Sequence, residues 1–156
     1  MSQREGGPVR PAAEADALAI VDLIAAYRSD HPGGGAIDRA PIRAAVSSAL
    51  ADVASTVLVA TADARIVGFV IVHWIPFPLI GGTEAYVSEL IVAAQSRGSG
   101  VGRSLMAAVE AAAIGRACVR IMLNNVMTTT TFQRGFYAKL GYRHREDVAN
   151  FVKPLR

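Results

Sequence analysis

The chain has one cysteine, Cys118, in 156 residues. A lone thiol forms no internal disulfide and completes no thiol pair for a metal, and it fits a cytoplasmic protein. Lysine is nearly missing: arginine supplies 14 of the 16 cationic residues, and these are scattered along the chain. Aromatic residues make up only 6%. A nucleic-acid interface usually joins a dense basic patch to exposed aromatics. The net charge of +3 therefore favours some anionic ligand and argues against a nucleic-acid partner. No run reaches the roughly 18 apolar residues of a membrane span, so no membrane partner is expected. The opening M-S-Q-R-E-G-G-P lacks the apolar core of a secretory signal. No repeat, low-complexity tract, metal-ligand cluster or nucleophilic triad is evident.

What is present is core material. Hydrophobic residues make up 52% and charged residues 19%, enough for one packed domain of ordinary size. Residues 1–8 read as a flexible start and 9–156 as a single domain.

V-R-P-A (9–12) reads as a short strand. From Ala15 to Tyr27, Leu18, Val21, Ile24 and Ala25 recur at helical spacing. S-D-H-P-G-G-G (29–35) is a loop. Asp38 reads as the N-cap of a second helix, with Pro41 near its first turn and its end near Asp52. T-V-L-V-A-T (56–61) and R-I-V-G-F-V-I-V-H-W (65–74) flank A-D-A and read as a hairpin. I-P-F-P-L-I-G-G (75–82) breaks the second run. Ala85–Ala93 is a further strand, Arg103–Ala113 a helix and 118–123 a strand. Thr130 and Gln133 have capping-box spacing, which predicts a last helix ending at Gly141. One or two short strands follow from Arg143. The order is β, α, α, β, β, β, loop, α, β, α, β, a mixed sheet with helices packed on it.

The loop Q-S-R-G-S-G-V-G-R-S (95–104) stands between a strand and a helix. Its Gly98, Gly100 and Gly102 give G-x-G-x-G, so the third glycine comes one place too early for a dinucleotide fingerprint. Gly102-Arg103-Ser104 imitates the end of a nucleotide P-loop, but Arg97 stands where its first glycine belongs and the lysine is missing. A third pattern, [QR]-x-x-G-x-[GA], is met in full by Gln95-Ser96-Arg97-Gly98-Ser99-Gly100. A glycine-rich turn with no ligand remains the plain alternative.

With that loop and the downstream F-Y-A-K-L-G-Y (136–142), the chain resembles the GNAT superfamily of acyl-CoA-dependent N-acyltransferases. The resemblance is densest over Tyr86–Gly102 and 136–142. It implies an α/β (α+β) fold with a central, mostly antiparallel sheet of about six to seven strands, a splayed strand pair and about four flanking helices. It implies acetyl-CoA as co-substrate and no metal. Leu90, Ile91 and Val92 would offer backbone groups to the pantetheine arm. Arg97, Gly98, Ser99, Gly100, Val101, Gly102 and Arg103 would receive the pyrophosphate. The physics agrees: a helix start carries unbonded N–H groups and partial positive charge, and residues without bulk let phosphate approach. Lys139 or Arg143 would serve the 3′-phosphate.

Acetyl transfer to an amine needs a neutral nucleophile, although free alkyl amines have a pKa near ~10. It also needs hydrogen bonds to the developing oxyanion and a proton for the leaving thiolate. The resemblance implies Tyr137 as that acid, beside the sulfur; packing or cofactor contact is the alternative. Many relatives carry an acidic pair where Ser88-Glu89 stands here, so Glu89 is the candidate base or amine-orienting group. Strict alternation puts Ser88 and Glu89 on opposite faces, and a β-bulge would re-aim one of them. Glu84 is the reserve base. His73 lies near the expected cleft, either as a proton acceptor or as a bonded structural histidine. His31 and His144 read as loop or surface residues. Asn124 and Asn125 are candidates for pantetheine or loop contacts. Relatives often place an asparagine shortly before the last helix; Thr130 stands about there, and a helix cap is its simpler role.

The N-terminal helices and the 75–82 loop are expected to specify the acceptor amine, small or partly hydrophobic, or a peptide amine. The apolar loop fits a homodimer contact equally well. Two further readings stay open: a non-catalytic acyl-CoA sensor or assembly domain, and a basic nucleic-acid-binding module, against which the scattered arginines count.

Overall fold

In a computed structural model, which describes residues 7–31 and 37–155, the two β-rich runs pair as an antiparallel hairpin. They become β2 (Ser55–Ala62) and β3 (Arg65–Phe77). Asp63 and Ala64 between them both have positive φ, 48° and 60°. That is the turn geometry which matches the twist of paired strands. β1 (Val9–Pro11) joins the free side of β2, and β4 (Gly82–Val92) joins β3, both antiparallel. β3 does not stop at Trp74. Its last residues, Ile75–Phe77, pair with β4, so half of I-P-F-P-L-I-G-G is strand and a 3-10 turn at Pro78–Ile80 makes the connection.

Two helices cover one sheet face. α1 (Ala17–Ser29) and α2 (Arg39–Ala51) bury Ile20, Val21 and Val46 against Val57, Val59, Phe69, Ile71 and Ile91. The strand residues are odd-numbered because alternate side chains share a face. Burying a side chain such as Phe69 contributes roughly 1.5–3 kcal/mol. Asp38 caps α2 as its sequence predicts, accepting from the Ala40 N–H at 3.0 Å. α3 (Val101–Gly115) buries Val101, Leu105, Met106 and Val109. It lies on the opposite face, since a Cβ at Gly68 would meet Val101 Cγ1 at 3.0 Å and Leu105 Cδ1 at 3.2 Å. α3 also supplies the crossover that a parallel pair needs, bringing β5 (Arg120–Leu123) beside β4.

The sheet order is β1-β2-β3-β4-β5. Among the described residues the expected six to seven strands are corrected to five; three of the four pairings are antiparallel and the β4–β5 pair is parallel, so the sheet is mixed. Among the described residues no strand forms after Arg143. The charged start of that segment, R-H-R-E-D (143–147), does not alternate as a half-buried strand would.

Asp16, just before α1, closes its own local structure. Its carboxylate accepts from the Ala13 N–H at 2.8 Å and from both terminal nitrogens of Arg10 at 2.7 and 2.9 Å. The Arg10 hydrogen bonds, ahead of the backbone bond, hold its pKa below the usual carboxylate value. A depressed pKa stabilises the fold above the unfolded value and loses that effect as pH falls through the folded one. Asp16→Asn is therefore expected to lower the thermal midpoint at neutral pH by roughly 2–4 °C. The gap between variant and parent should stay full above about pH 5 and close below the ordinary carboxylate range near ~3.9. Melting curves across pH check it.

Residues up to Asn124 form one compact unit and those from Asn125 a second. The second contains α4 (Thr130–Gln133), a single turn. Its cap is Thr129, whose hydroxyl accepts from the Phe132 N–H at 3.3 Å, rather than Thr130. The long last helix expected up to Gly141 is corrected: Gly135 turns out of helical geometry at φ 62°. A 3-10 turn at Ala138–Leu140 follows and ends at Gly141, φ 89°. Of the expected flexible start, residues 1–6 lie outside the described residues. Pro8 accepts from the Thr61 N–H at 3.1 Å.

Candidate active site

The middle of β4 carries an irregularity. Ile71 pairs with Glu89, but the next residue, Val72, pairs with Val87, so Ser88 is an extra residue on β4. Such a bulge breaks the alternation of side chains. Ser88 and Glu89 consequently come to the same side and touch: the Ser88 hydroxyl donates to Glu89 Oε2. Ser88 Oγ also lies 2.9 Å from His73 Nε2.

Glu89 and His73 open into a hollow of about 480 Å³ under the two N-terminal helices. α1 contributes Ile24, Tyr27 and Arg28, and α2 contributes Ile42, Ala45 and Val46. Ile71 and Ile91 form its floor. The walls are mostly apolar, with Glu89, His73, Arg28 and Tyr27 as the ionisable groups. The 75–82 segment does not line it. A second hollow, about 560 Å³, runs along α1 and the end of β4 to Gln95 and Arg97.

Beside the bulge, β4 loses a neighbour. Its ladder with β5 ends at Val87–Leu123, whereas its ladder with β3 continues to Val92. Among the described residues the stretch Ser88–Val92 thus has no strand on its β5 side. Ile91 packs into the core while its strand stays open on that edge. Leu90 and Val92 are half-buried. At the fork, Tyr86 pairs with His73 and stacks on it with ring centroids 6.4 Å apart, and Asn124 Nδ2 donates to the Tyr86 hydroxyl at 3.3 Å.

The glycine loop follows. Gly98 and Gly100 have φ of 80° and 93°, a backbone region costly for residues with a Cβ. Gly100 is the N-cap of α3, and the first amide bonded back into the helix is that of Ser104, to Gly100 O at 3.0 Å. The amides of Val101, Gly102 and Arg103 are the helix's donors with no acceptor one turn back. Ser99 Oγ donates to Ser96 O at 2.6 Å and tightens the turn. Arg103 is exposed on the first turn of α3. Arg97 folds back instead: its Nε donates to Val92 O at 3.2 Å and its guanidinium stands 4.0 Å from Asp30. These glycines, first-turn donors and open β4 edge fit a pyrophosphate with an amide-bearing arm.

The remaining candidates separate. Glu84 is buried, 1% exposed, and paired with Arg120 of β5. His31 Nδ1 lies 2.6 Å from Tyr27 O. Asn125 accepts from the Thr129 hydroxyl at 3.2 Å within the second unit. In that unit Tyr137 meets Phe136 and Tyr142 edge to face at 4.9 and 5.9 Å. His144 meets Phe132 edge to face at 5.6 Å, and Lys139 and Arg143 are exposed. Among the described residues no group of three or more His, Cys, Asp or Glu side chains is placed to hold a metal. No helix there is long and apolar enough to cross a membrane.

Sequence reasoning missed Tyr86, Arg28 and Ser55. Ser55 Oγ lies 2.8 Å from His73 Nδ1. Ser55 and Tyr86 are found through the strand register, which sets both opposite His73; Arg28 reaches the hollow from α1.

The family model of the acetyltransferase (GNAT) family matches residues 20–142. No protein of curated function matches the chain by sequence. Among solved structures, a transcriptional regulator from Bacillus halodurans C-125 superposes with TM-score 0.79 at 22% identity, over 94% of this chain and 99% of its own. A ribosomal-protein-alanine N-acetyltransferase from Brucella melitensis biovar Abortus 2308 gives 0.73 at 23%, over 95% and 98%. An acetyltransferase from Trypanosoma brucei gives 0.72 at 19%, over 94% and 99%. At these identities the structural likeness establishes the fold, and the family model, spanning the glycine loop and the F-Y-A-K-L-G-Y stretch, establishes the lineage: the chain belongs to the GNAT acetyltransferase family.

Proposed function

We propose that the protein transfers the acetyl group of acetyl-CoA to a primary amine by direct attack within a ternary complex. The observation that carries this reading is the bulge at Ser88. It turns Glu89 into an apolar hollow at the point where β4 parts from β5. In this reading the hollow under α1 and α2 takes the acceptor. Ile24, Ile42, Ile71 and Ile91 receive its apolar body, and Glu89 receives its amine. Desolvation of the amine on these walls favours its neutral form, and Glu89 takes the proton lost on attack.

The loop residues Arg97–Arg103 hold the pyrophosphate, and the open edge at Leu90–Val92 holds the pantetheine arm. Acetyl-CoA supplies the acetyl group and leaves as the thiol. The resemblance assigns Tyr137 the proton that the thiolate needs. In this reading residues 9–156 are a single N-acetyltransferase domain, as the family match over residues 20–142 supports. A cytoplasmic setting and a homodimer are consistent with this reading.

The sensor reading has one observation in its favour: serine replaces an acidic residue at position 88. It keeps acetyl-CoA binding and has no turnover. Tyr137→Phe tests the chemistry without changing shape. It is expected to lower kcat by about 10²-fold and leave the KM for acetyl-CoA nearly unchanged. Undiminished turnover would remove Tyr137 from the mechanism.

A further inference from the structure

Glu89 is the last member of a chain of hydrogen-bonding groups that crosses three strands. From Glu89 Oε2 it passes to Ser88 Oγ on β4, then over 2.9 Å to His73 Nε2 on β3. From His73 Nδ1 it passes over 2.8 Å to Ser55 Oγ on β2, then over 3.2 Å to Asp52 Oδ2. Asp52 follows α2 and is exposed. Both ring nitrogens thus face a serine hydroxyl, and each serine faces a carboxylate.

Proton counting gives this arrangement a direction. A serine hydroxyl has one proton and accepts with its lone pairs. If the Ser55 proton goes to Asp52, Ser55 must accept from His73 Nδ1–H. The Asp52–Ser55 limb therefore holds the ring in the tautomer protonated at Nδ1 and leaves Nε2 for the other side. Ser88 then has two settings. With a neutral ring its proton goes to Nε2. With a charged ring Nε2–H donates to Ser88, and the Ser88 proton goes to Glu89, the contact this structure contains. One hydroxyl rotation separates the two.

We propose that His73 is the proton acceptor behind Glu89, reached through the Ser88 hydroxyl and held in one tautomer by Ser55 and Asp52. This rests on Glu89 receiving the amine proton. Glu89 takes that proton, and its own O–H passes it to Ser88 Oγ while Ser88 passes its proton to Nε2. Glu89 is a carboxylate again and His73 an imidazolium. The reverse path returns the proton to water once the product has left. The imidazolium sits between two carboxylates, Glu89 and Asp52. The other ionisable groups facing it are Tyr86, stacked on the ring from β4, and Tyr27 and Arg28 from α1. α2 faces it with Ala45, Val46 and Ala49. His73 is a positioning residue here, acting on substrate only through Glu89.

The test uses the full chain and the variants Ser88→Ala, His73→Gln and the double variant. Each single change is expected to lower kcat by about 10²-fold with little change in the KM for acetyl-CoA, and the double change no further, because the groups act as one unit. Multiplying losses, or a Ser88→Ala enzyme with full kcat, would overturn the relay. A second readout needs no turnover: nitrogen-15 NMR of the His73 ring. Nδ1 should stay protonated across the titration while Nε2 loses its proton, and Ser55→Ala should abolish that preference. A neutral ring protonated at Nε2 in the parent protein would refute the proposal. If no amine is acetylated at all, the transferase reading fails, and the ring tautomer still decides the hydrogen-bond chain.

Discussion

Replacing Glu89 by glutamine is expected to cut kcat by about 10²–10³-fold while the KM for acetyl-CoA stays within a small factor. Glutamine keeps the size of the side chain, and its carbonyl oxygen still accepts from the Ser88 hydroxyl. What it loses is the capacity to take a proton and the negative charge that orients an ammonium. The loss should fall on chemistry and on amine binding and leave the donor site untouched, since the Glu89 side chain lines the hollow under α1 and α2 and the glycine loop, beyond the end of β4, does not. Steady-state kinetics with both substrates varied separates these effects. Unchanged kcat would move the base elsewhere, to solvent or to another group in the hollow.

The second large effect is expected in the loop. Gly98→Val should weaken acetyl-CoA binding by about 10²-fold, which corresponds to about 2.7 kcal/mol. Two causes add. The φ of 80° is costly for a β-branched residue, by roughly 1–2 kcal/mol. A Cβ at Gly98 would also meet nothing within 4 Å, so the new side chain would fill the open space through which a phosphate reaches the backbone. Gly98→Asn tolerates the left-handed backbone and should lose less. Calorimetric titration with coenzyme A measures both variants, and circular dichroism checks that each is folded. A Gly98→Val protein that binds as tightly as its parent would mean that this loop does not hold the pyrophosphate.

The loop was legible in the sequence because its signal is local. Glycine spacing, the end of the preceding strand and the helix start are close neighbours in the chain, and the structure has the loop there, with α3 starting at Val101, two residues before the expected Arg103. The hairpin and the Asp38 cap were legible for the same reason. Tertiary pairing was not. Glu84 looks like a spare base until its partner Arg120, 36 positions away, is known. The bulge that brings Ser88 and Glu89 together is a register shift between β3 and β4, and a strand read alone does not contain it. The partner of His73 depends on a further shift between Ala60 and Thr61. Counting back from the Asp63-Ala64 turn without that shift puts Ala54 opposite His73; with it, Ser55 stands there. The last helix failed differently. Helical spacing continues past Gln133, but Gly135 at positive φ stops it after one turn.

The Ser88 position also connects the family's acidic pattern to this chain. A second carboxylate there would meet Glu89 at close range, where two charges resist joint ionisation. A hydroxyl avoids that repulsion and adds a bond to His73.

Acetyl transfer from acetyl-CoA to an amine held under α1 and α2 can be followed directly. The direct measurement is release of free thiol from acetyl-CoA by the unmodified protein across a panel of small, partly apolar primary amines, with the acetylated amine identified by mass spectrometry. Thiol release is expected to depend on the amine and to equal the acetylated product formed. Saturable acetyl-CoA binding with no thiol released by any amine would contradict it and favour the sensor.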